Sequence, residues 1–245
     1  AVSRGLAEHF RDLAHAVIAR ADLLADDLVV EFGSNDGTLL QNFVETGYRV
    51  RGVDPAVEIA EEATRSGVPT RADFFGREVA ADLRAELGPA RAVIANNAMA
   101  NIDDLPDVLD GVRSLLAADG VFVFETQYAL DVFEKTLLDV IYHEHISCFS
   151  VRPLVRAFTS YGLQVFDVER IPTKGGSIRV WVQPDGGPNP ISARVGELVA
   201  LEEATGLYDS GYHARFSDKV VAIKAELHRL VGQARTIGRP VGAYG

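Results

Sequence analysis

One cysteine, one methionine and one tryptophan occur in 245 residues, and the 24 basic side chains are outnumbered by 35 acidic ones. A lone Cys148 excludes an internal disulfide and any metal centre built on several cysteines, and it fits a cytoplasmic setting. The net charge of −11 works against nucleic acid as a partner, because phosphate binding is driven by Lys and Arg and no segment is rich in them. No apolar run approaches the roughly 18 residues that a membrane-crossing helix needs, so no membrane partner is expected. The opening stretch, AVSRGLAEHFRDLAHAVIARADLLADD, carries charges throughout and lacks the continuous apolar centre of a signal peptide. It reads as a helix of the domain.

What is present is an ordinary supply of apolar side chains, 47% of the total, arranged in a regular alternation. Short apolar runs (DLVVEFG 27–33, YRVRGVD 48–54, VPTRAD, RAVIANN 91–97, VFVFET 121–126) alternate with amphipathic stretches closed by glycine. That pattern predicts βα units around a parallel sheet. LPDVLDGVRSLLAADG is expected to be helical throughout, with Asn101 and Asp103 as candidate caps before it. After the helix VRPLVRAFTSYG, LQVFDVERI and GGSIRVWVQ read as two strands joined by PTKG, an antiparallel hairpin. The Pro/Gly run PDGGPNP (184–190) is expected to link residues 1–183 to helices at about 191–205 and 212–235. GRPVGAYG reads as an apolar strand running into glycines; with no initiator Met, the chain is expected to be a fragment lacking flanking domains.

The loop EFGSNDG (31–37) follows the first strand, with Gly33, Asn35 and Gly37 ahead of a helix N-terminus that favours an anionic group. Its G-x-x-x-G spacing departs from the G-x-G-x-x-G of dinucleotide sites. Glu31 would repel a pyrophosphate but would suit the ammonium of S-adenosylmethionine, whose carboxylate suits the helix. Asp54 ends the second strand, about 20 residues on, where an acid accepts from ribose hydroxyls. Asp73 is placed to reach an adenine amino group, with Phe74 or Phe75 beside the ring, and Asn96 and Asn97 end the fourth strand. Singly each has a bland reading as a turn or a cap. Together, on four successive strand ends, they predict a class I methyltransferase fold: α/β, Rossmann-like, with a seven-stranded sheet, an antiparallel last hairpin and a C-terminal helical extension.

DVIYHEHISCFS (139–150) concentrates Tyr142, His143, Glu144 and His145 in consecutive positions. The H-E-H spacing is not that of H-E-x-x-H and no third ligand stands nearby, so no metal is expected. A structural reading, one ring buried and hydrogen-bonded, stays open beside a catalytic one. Methyl transfer to carbon needs a base, and histidine titrates near neutrality.

EFGSNDGTLL, GVDP, ANNAMANIDD, FETQYALDVFEKTLLDVIYHEHISCFS and KGGSIRVWV together resemble the S-adenosylmethionine-dependent C-methyltransferases of deoxysugar biosynthesis, from about residue 25 onward. The resemblance implies methylation of carbon 3 of a dTDP-linked 4-keto sugar in an antibiotic pathway. It also implies His145 as the base beside the keto group, Tyr142 and Glu144 in the same site with His143 near them, and Lys174 and Gly175 close to the acceptor. It further implies an N-terminal cysteine-built zinc-binding domain and a second Rossmann-like domain, neither of which these residues contain. Alternatives are a methyltransferase domain of a larger assembly acting on a tethered keto or hydroxy intermediate, and a non-catalytic cofactor-binding module.

Overall fold

The computed structural model describes residues 4–243. Helix α1 (Arg4–Arg20) precedes an alternation of β1 (Leu28–Phe32), α2 (Thr38–Glu45), β2 (Arg49–Asp54), α3 (Val57–Arg65), β3 (Thr70–Ala72), α4 (Arg77–Leu87), β4 (Ala90–Asn96), α5 (Leu105–Leu115) and β5 (Leu116–Gln127). Then come α6 (Ala129–Lys135), α7 (Val151–Ser160), the hairpin β6 (Leu163–Ile171) and β7 (Ser177–Pro184), and helices α8 (Ala193–Ala204) and α9 (Ser210–Thr236). The seven strands form one sheet in the order β3-β2-β1-β4-β5-β7-β6, parallel through β5 and antiparallel at β7.

Both faces of the sheet are covered, so the central strands are apolar at successive positions. Leu28, Val30 and Phe32 point into a core with Leu83, Val112 and Phe158, from α4, α5 and α7. Val29 points the other way, among Leu13, Val17, Leu40, Phe43 and Trp181. The strand order reverses between β1 and β4, and a crevice opens outside the carboxyl ends of strands at such a point.

Three expectations are corrected. The helix over LPDVLDGV stops at Leu115 and is capped by Asp104, whose carboxylate accepts from Asp107 N at 3.1 Å; Asn101 and Asp103 do not cap it. Leu116 pairs with Ala90, so LAADG joins β5 despite its helical composition. Gly120 permits this: a Cβ there would lie 2.8 Å from Ala90 O. Residues 239–243 of GRPVGAYG form no strand, and 244–245 lie outside the described residues. Helix α6 was not anticipated.

The Pro/Gly segment is tied to the sheet. Fully buried Gln183 accepts from Asn189 N and Nδ2, both at 2.9 Å, and donates to Asn189 O at 2.8 Å.

Candidate functional site

The carboxyl ends of β1, β2 and β4 open into a cavity of about 790 Å³. Every residue expected to hold cofactor lines it: Glu31, Gly33, Asn35, Asp54, Asp73, Phe74, Asn96 and Asn97. The wall is built by backbone that turns sharply. Gly33 (φ +66°) donates to Val53 O at 2.8 Å, and a Cβ on it would sit 2.6 Å from the Cβ of Ala98, so only glycine fits. Asn35 and Asn97 also take left-handed backbone, at +49° and +56°. Asp54, buried at the end of β2, accepts from Asn35 N at 2.9 Å and from Ala56 N at 3.0 Å, which fixes its carboxylate. A carboxylate accepts about four hydrogen bonds, so acceptor capacity remains.

Beside this ordered rim, three polar atoms are buried without a hydrogen-bond partner among the described residues: Glu31 Oε2, Ser34 Oγ and Asn96 Nδ2. Native interiors rarely leave such groups orphaned unless a ligand meets them. Burial first, then the charges of Asp54 and Asp36, push the Glu31 carboxyl well above its ordinary value. An ammonium would satisfy that carboxylate, and the hydroxyl and amide suit an amino acid's carboxylate. The residues therefore fit S-adenosylmethionine: Glu31, Ser34 and Asn96 for the amino acid end, Asp54 for the ribose.

At the other end, Asp73 accepts from Arg71 at 3.0 Å and from Phe74 N at 2.9 Å. Phe75 stacks on Phe32 at 4.6 Å between ring centres, whereas Phe74 is 78% exposed. Phe75 is thus the fixed ring and Phe74 the free one. The sequence reading missed Leu6 and Phe10 of α1, Asp104 at the cap of α5 and Asp107 in its first turn, which also line the cavity. Leu6, Phe10, Leu13 and Val17 lie on one helical stripe; its last two members fill the core and its first two overhang the cavity.

Lys174 also reaches the wall, from left-handed backbone (φ +52°) in the β6–β7 turn. Desolvation lowers its pKa below the ordinary lysine value, against the opposing pull of Glu125. Gly175 does not line the cavity. Its carbonyl accepts from Lys135 Nζ at 2.7 Å, and a Cβ there would meet Leu137 at 2.9 Å, so it packs the turn against the segment after α6. Glu125 is itself buried, between Arg179 Nε at 2.7 Å and His9 Nε2 at 2.6 Å.

Tyr142, His143 and Glu144 are exposed, His145 is half-buried, and none of the four lines the cavity. Their loop is tied to it: Ile146 N and Ser147 N donate to Ala100 O at 2.8 and 3.1 Å, in the short turn Met99–Asn101 that follows β4, and Asn101 is part of the wall. His145 Nδ1 lies 2.7 Å from Val140 O, an atom that only accepts, so Nδ1 carries the proton. In the neutral ring Nε2 then offers a lone pair, and Tyr142 OH lies 2.9 Å from it. The loop thus presents one histidine in the tautomer a base requires. Among the described residues no group of three or more His, Cys, Asp or Glu side chains could hold a metal ion, and no helix is long and apolar enough to cross a membrane.

Comparison with known proteins agrees with this geometry. Solved structures with the same fold include an S-adenosylmethionine-dependent methyltransferase from Clostridium acetobutylicum (TM-score 0.55, 13% identity, covering 73% of this chain and 92% of that one). Magnesium protoporphyrin IX methyltransferase from Synechocystis, with S-adenosylmethionine bound, matches at TM-score 0.53 and 13% identity over 73% of this chain and 79% of the other. The curated C-methyltransferase NovU of Streptomyces niveus is 37% identical over 238 residues, which are 97% of this chain but 57% of that protein's length. Residues 172–245 match the family described as C-methyltransferase C-terminal domain. Residues 6–168 match the family described as Methyltransferase domain, and to that family the chain belongs.

Proposed function

We propose that the chain methylates a carbon next to a ketone, with S-adenosylmethionine as methyl donor and His145 as general base, in the cytoplasm. The acceptor is carbon 3 of a dTDP-linked 4-keto deoxysugar. One observation carries the chemistry: His145 is held with Nδ1–H on Val140 O and its Nε2 lone pair facing the Tyr142 hydroxyl, in a loop fastened to the cavity wall at Ala100. The name of the 37% identical relative supports transfer to carbon, and the likeness of the YHEH and KGGS runs to deoxysugar enzymes supports the sugar. When bound, S-adenosylmethionine supplies an electrophilic methyl group.

The chain's own residues would divide the work. Glu31, Ser34 and Asn96 bind the cofactor's amino acid end, and Asp54 its ribose. His145 Nε2 takes the proton from the acceptor carbon while Val140 O holds the resulting imidazolium at Nδ1. Tyr142 shifts its hydroxyl from Nε2 to the ketone oxygen, and Glu144 and His143 flank it. Lys174 supplies positive charge where the oxygen becomes anionic. Residues 1–183 form the methyltransferase domain, and 184–245 are a linker and helices leading into a C-terminal domain.

The test is incubation with S-adenosylmethionine and a panel of dTDP-4-keto-6-deoxy sugars in D₂O, with products read by mass spectrometry. A methyl gain, or deuterium beside the ketone, is expected. His145→Ala should keep cofactor affinity and lose turnover by about 10²–10⁴-fold. Wild-type turnover in that variant would remove His145 from the mechanism.

A further inference from the structure

We infer that Glu202, in helix α8 after the sheet, is a positioning residue for the loop that carries His145, because its carboxylate ties the two ends of that loop together. The inference rests on the proposed role of His145.

The chain leaves the sheet at Gln127, passes at once through the short helix α6, whose Leu130 is buried in the core, and enters its next α-helix only at Val151. Between them lie α6 and the exposed residues 141–144. Tyr128 starts this excursion and Val151 ends it, and both donate to one atom: Glu202 Oε1 accepts from Tyr128 OH at 2.9 Å and from Val151 N at 2.6 Å. Oε2 accepts from Arg152 N at 3.0 Å and Tyr208 OH at 2.5 Å. Four donors fill the carboxylate, which is wholly buried. Alongside it, Ala129 N donates to Phe149 O at 2.8 Å, so the neck of the excursion is closed twice. Its far side is held by Ala100.

Capping α7 alone would not require this arrangement. Ser150 occupies the cap position, where a serine hydroxyl ordinarily takes the first free N–H groups. Here it makes no capping bond and lies 3.2 Å from Tyr208 OH instead. The acceptor comes from a residue 51 positions later in the chain, and it also holds Tyr128, which is not part of α7. Burial, reinforced by Glu202, raises the pKa of both hydroxyls, that of Tyr208 to about 12, so both remain donors at neutral pH. Val195 and Glu202 lie seven residues apart on the one buried face of α8. The same face therefore docks the helix and closes the neck. Since α8 falls in the stretch matching the C-terminal domain family, the seating of that region is coupled to the loop.

The experiment is hydrogen–deuterium exchange of peptides spanning 138–148 in the full chain bound to S-adenosylhomocysteine, with kcat for methyl transfer measured alongside. In Glu202→Gln an amide N–H₂ replaces one acceptor and faces two donors. Exchange in 138–148 should rise about tenfold. kcat should fall on the order of 10–100-fold, the effect of a misplaced catalytic group, while the dissociation constant for S-adenosylhomocysteine stays within about twofold. Tyr128→Phe, which leaves the α7 cap intact, should shift exchange and kcat in the same direction, and it serves if Glu202→Gln does not fold. Wild-type exchange and kcat in either folded variant overturns the inference, as does loosening confined to α7. Should His145→Ala turn over normally while Glu202→Gln loosens 138–148, the base assignment fails and the tie stands.

Discussion

Glu31 is the residue where binding and stability oppose each other most directly. It lies at the end of a wholly buried strand, with an oxygen that has no partner and two acidic neighbours that raise its pKa. With its native pKa above the unfolded value, the folded protein binds more protons than the unfolded chain between the two values. Stability of the cofactor-free protein therefore declines as pH rises through that window, starting near the ordinary carboxylate value of about 4.3. Glu31→Gln is expected to flatten this decline and to raise Tm at pH 7, by roughly 2–4 °C per kcal/mol regained. The same variant should lose affinity for S-adenosylmethionine. Melting curves against pH and calorimetric titration check both, and an unchanged affinity would remove Glu31 as the ammonium partner. Glu31, Asp54 and Asn96 were legible because strand ends announce themselves in sequence. Glu202 was not: nothing in LEEATG distinguishes a buried carboxylate from its exposed neighbour Glu203, and three of its four partners, Tyr128, Val151 and Arg152, lie 50 to 74 residues away.

The elements form where their apolar periods place them, except where pairing overrides local preference. Leu116–Ala118 would extend α5 by composition, but Leu116 pairs with Ala90 of β4 and the three residues open β5 instead. Helix α1 shows a second effect hidden from sequence: it is strapped across the sheet by charge. Arg20 lies 4.5 Å above the Trp181 ring, 3.1 Å from Glu169, and on the buried carboxylate of Asp167, which Arg194 of α8 also holds. Burial alone would raise the pKa of Asp167, but the hydrogen bonds from the two arginines outweigh it and hold the group below its ordinary value. Its contribution is therefore complete above the unfolded value of about 3.9 and disappears as pH falls through the lower folded value. Arg20→Ala leaves Arg194 in place and should be the milder change. Arg20→Ala with Arg194→Ala strands a buried charge and is expected to cost about 3–5 kcal/mol in urea unfolding at pH 7, and to blunt the acid limb of the stability profile. A double variant no weaker than Arg20→Ala alone would show that Asp167 draws no support from Arg194.

For the molecule as a whole, the doubly wound core was readable because its strands are buried on both faces and its helices on one. The distal helix obeys a different logic. Phe216, Val220, Ile223, Leu227, Leu230 and Ala234 of α9 follow alternating steps of four and three, a continuous apolar stripe of the kind that seats against another surface. Only its first turns meet such a surface: Phe216 packs edge-on to Phe133 of α6 at 4.9 Å, and His213 does the same at 5.1 Å. Beyond them Ile223, Leu227 and Leu230 are exposed, and no residue of the helix is buried. An element without buried apolar contacts draws its stability from local hydrogen bonds alone, which for an isolated helix is marginal. Amide exchange in 220–236 is therefore expected to be orders of magnitude faster than in β4 and β5. Leu227→Ala should shift the unfolding free energy of the core by no more than about 0.5 kcal/mol. Exchange measured at low and high protein concentration separates the two ways this can fail: protection that grows with concentration means a second copy covers the stripe, and protection at every concentration means the helix is held by contacts of its own chain.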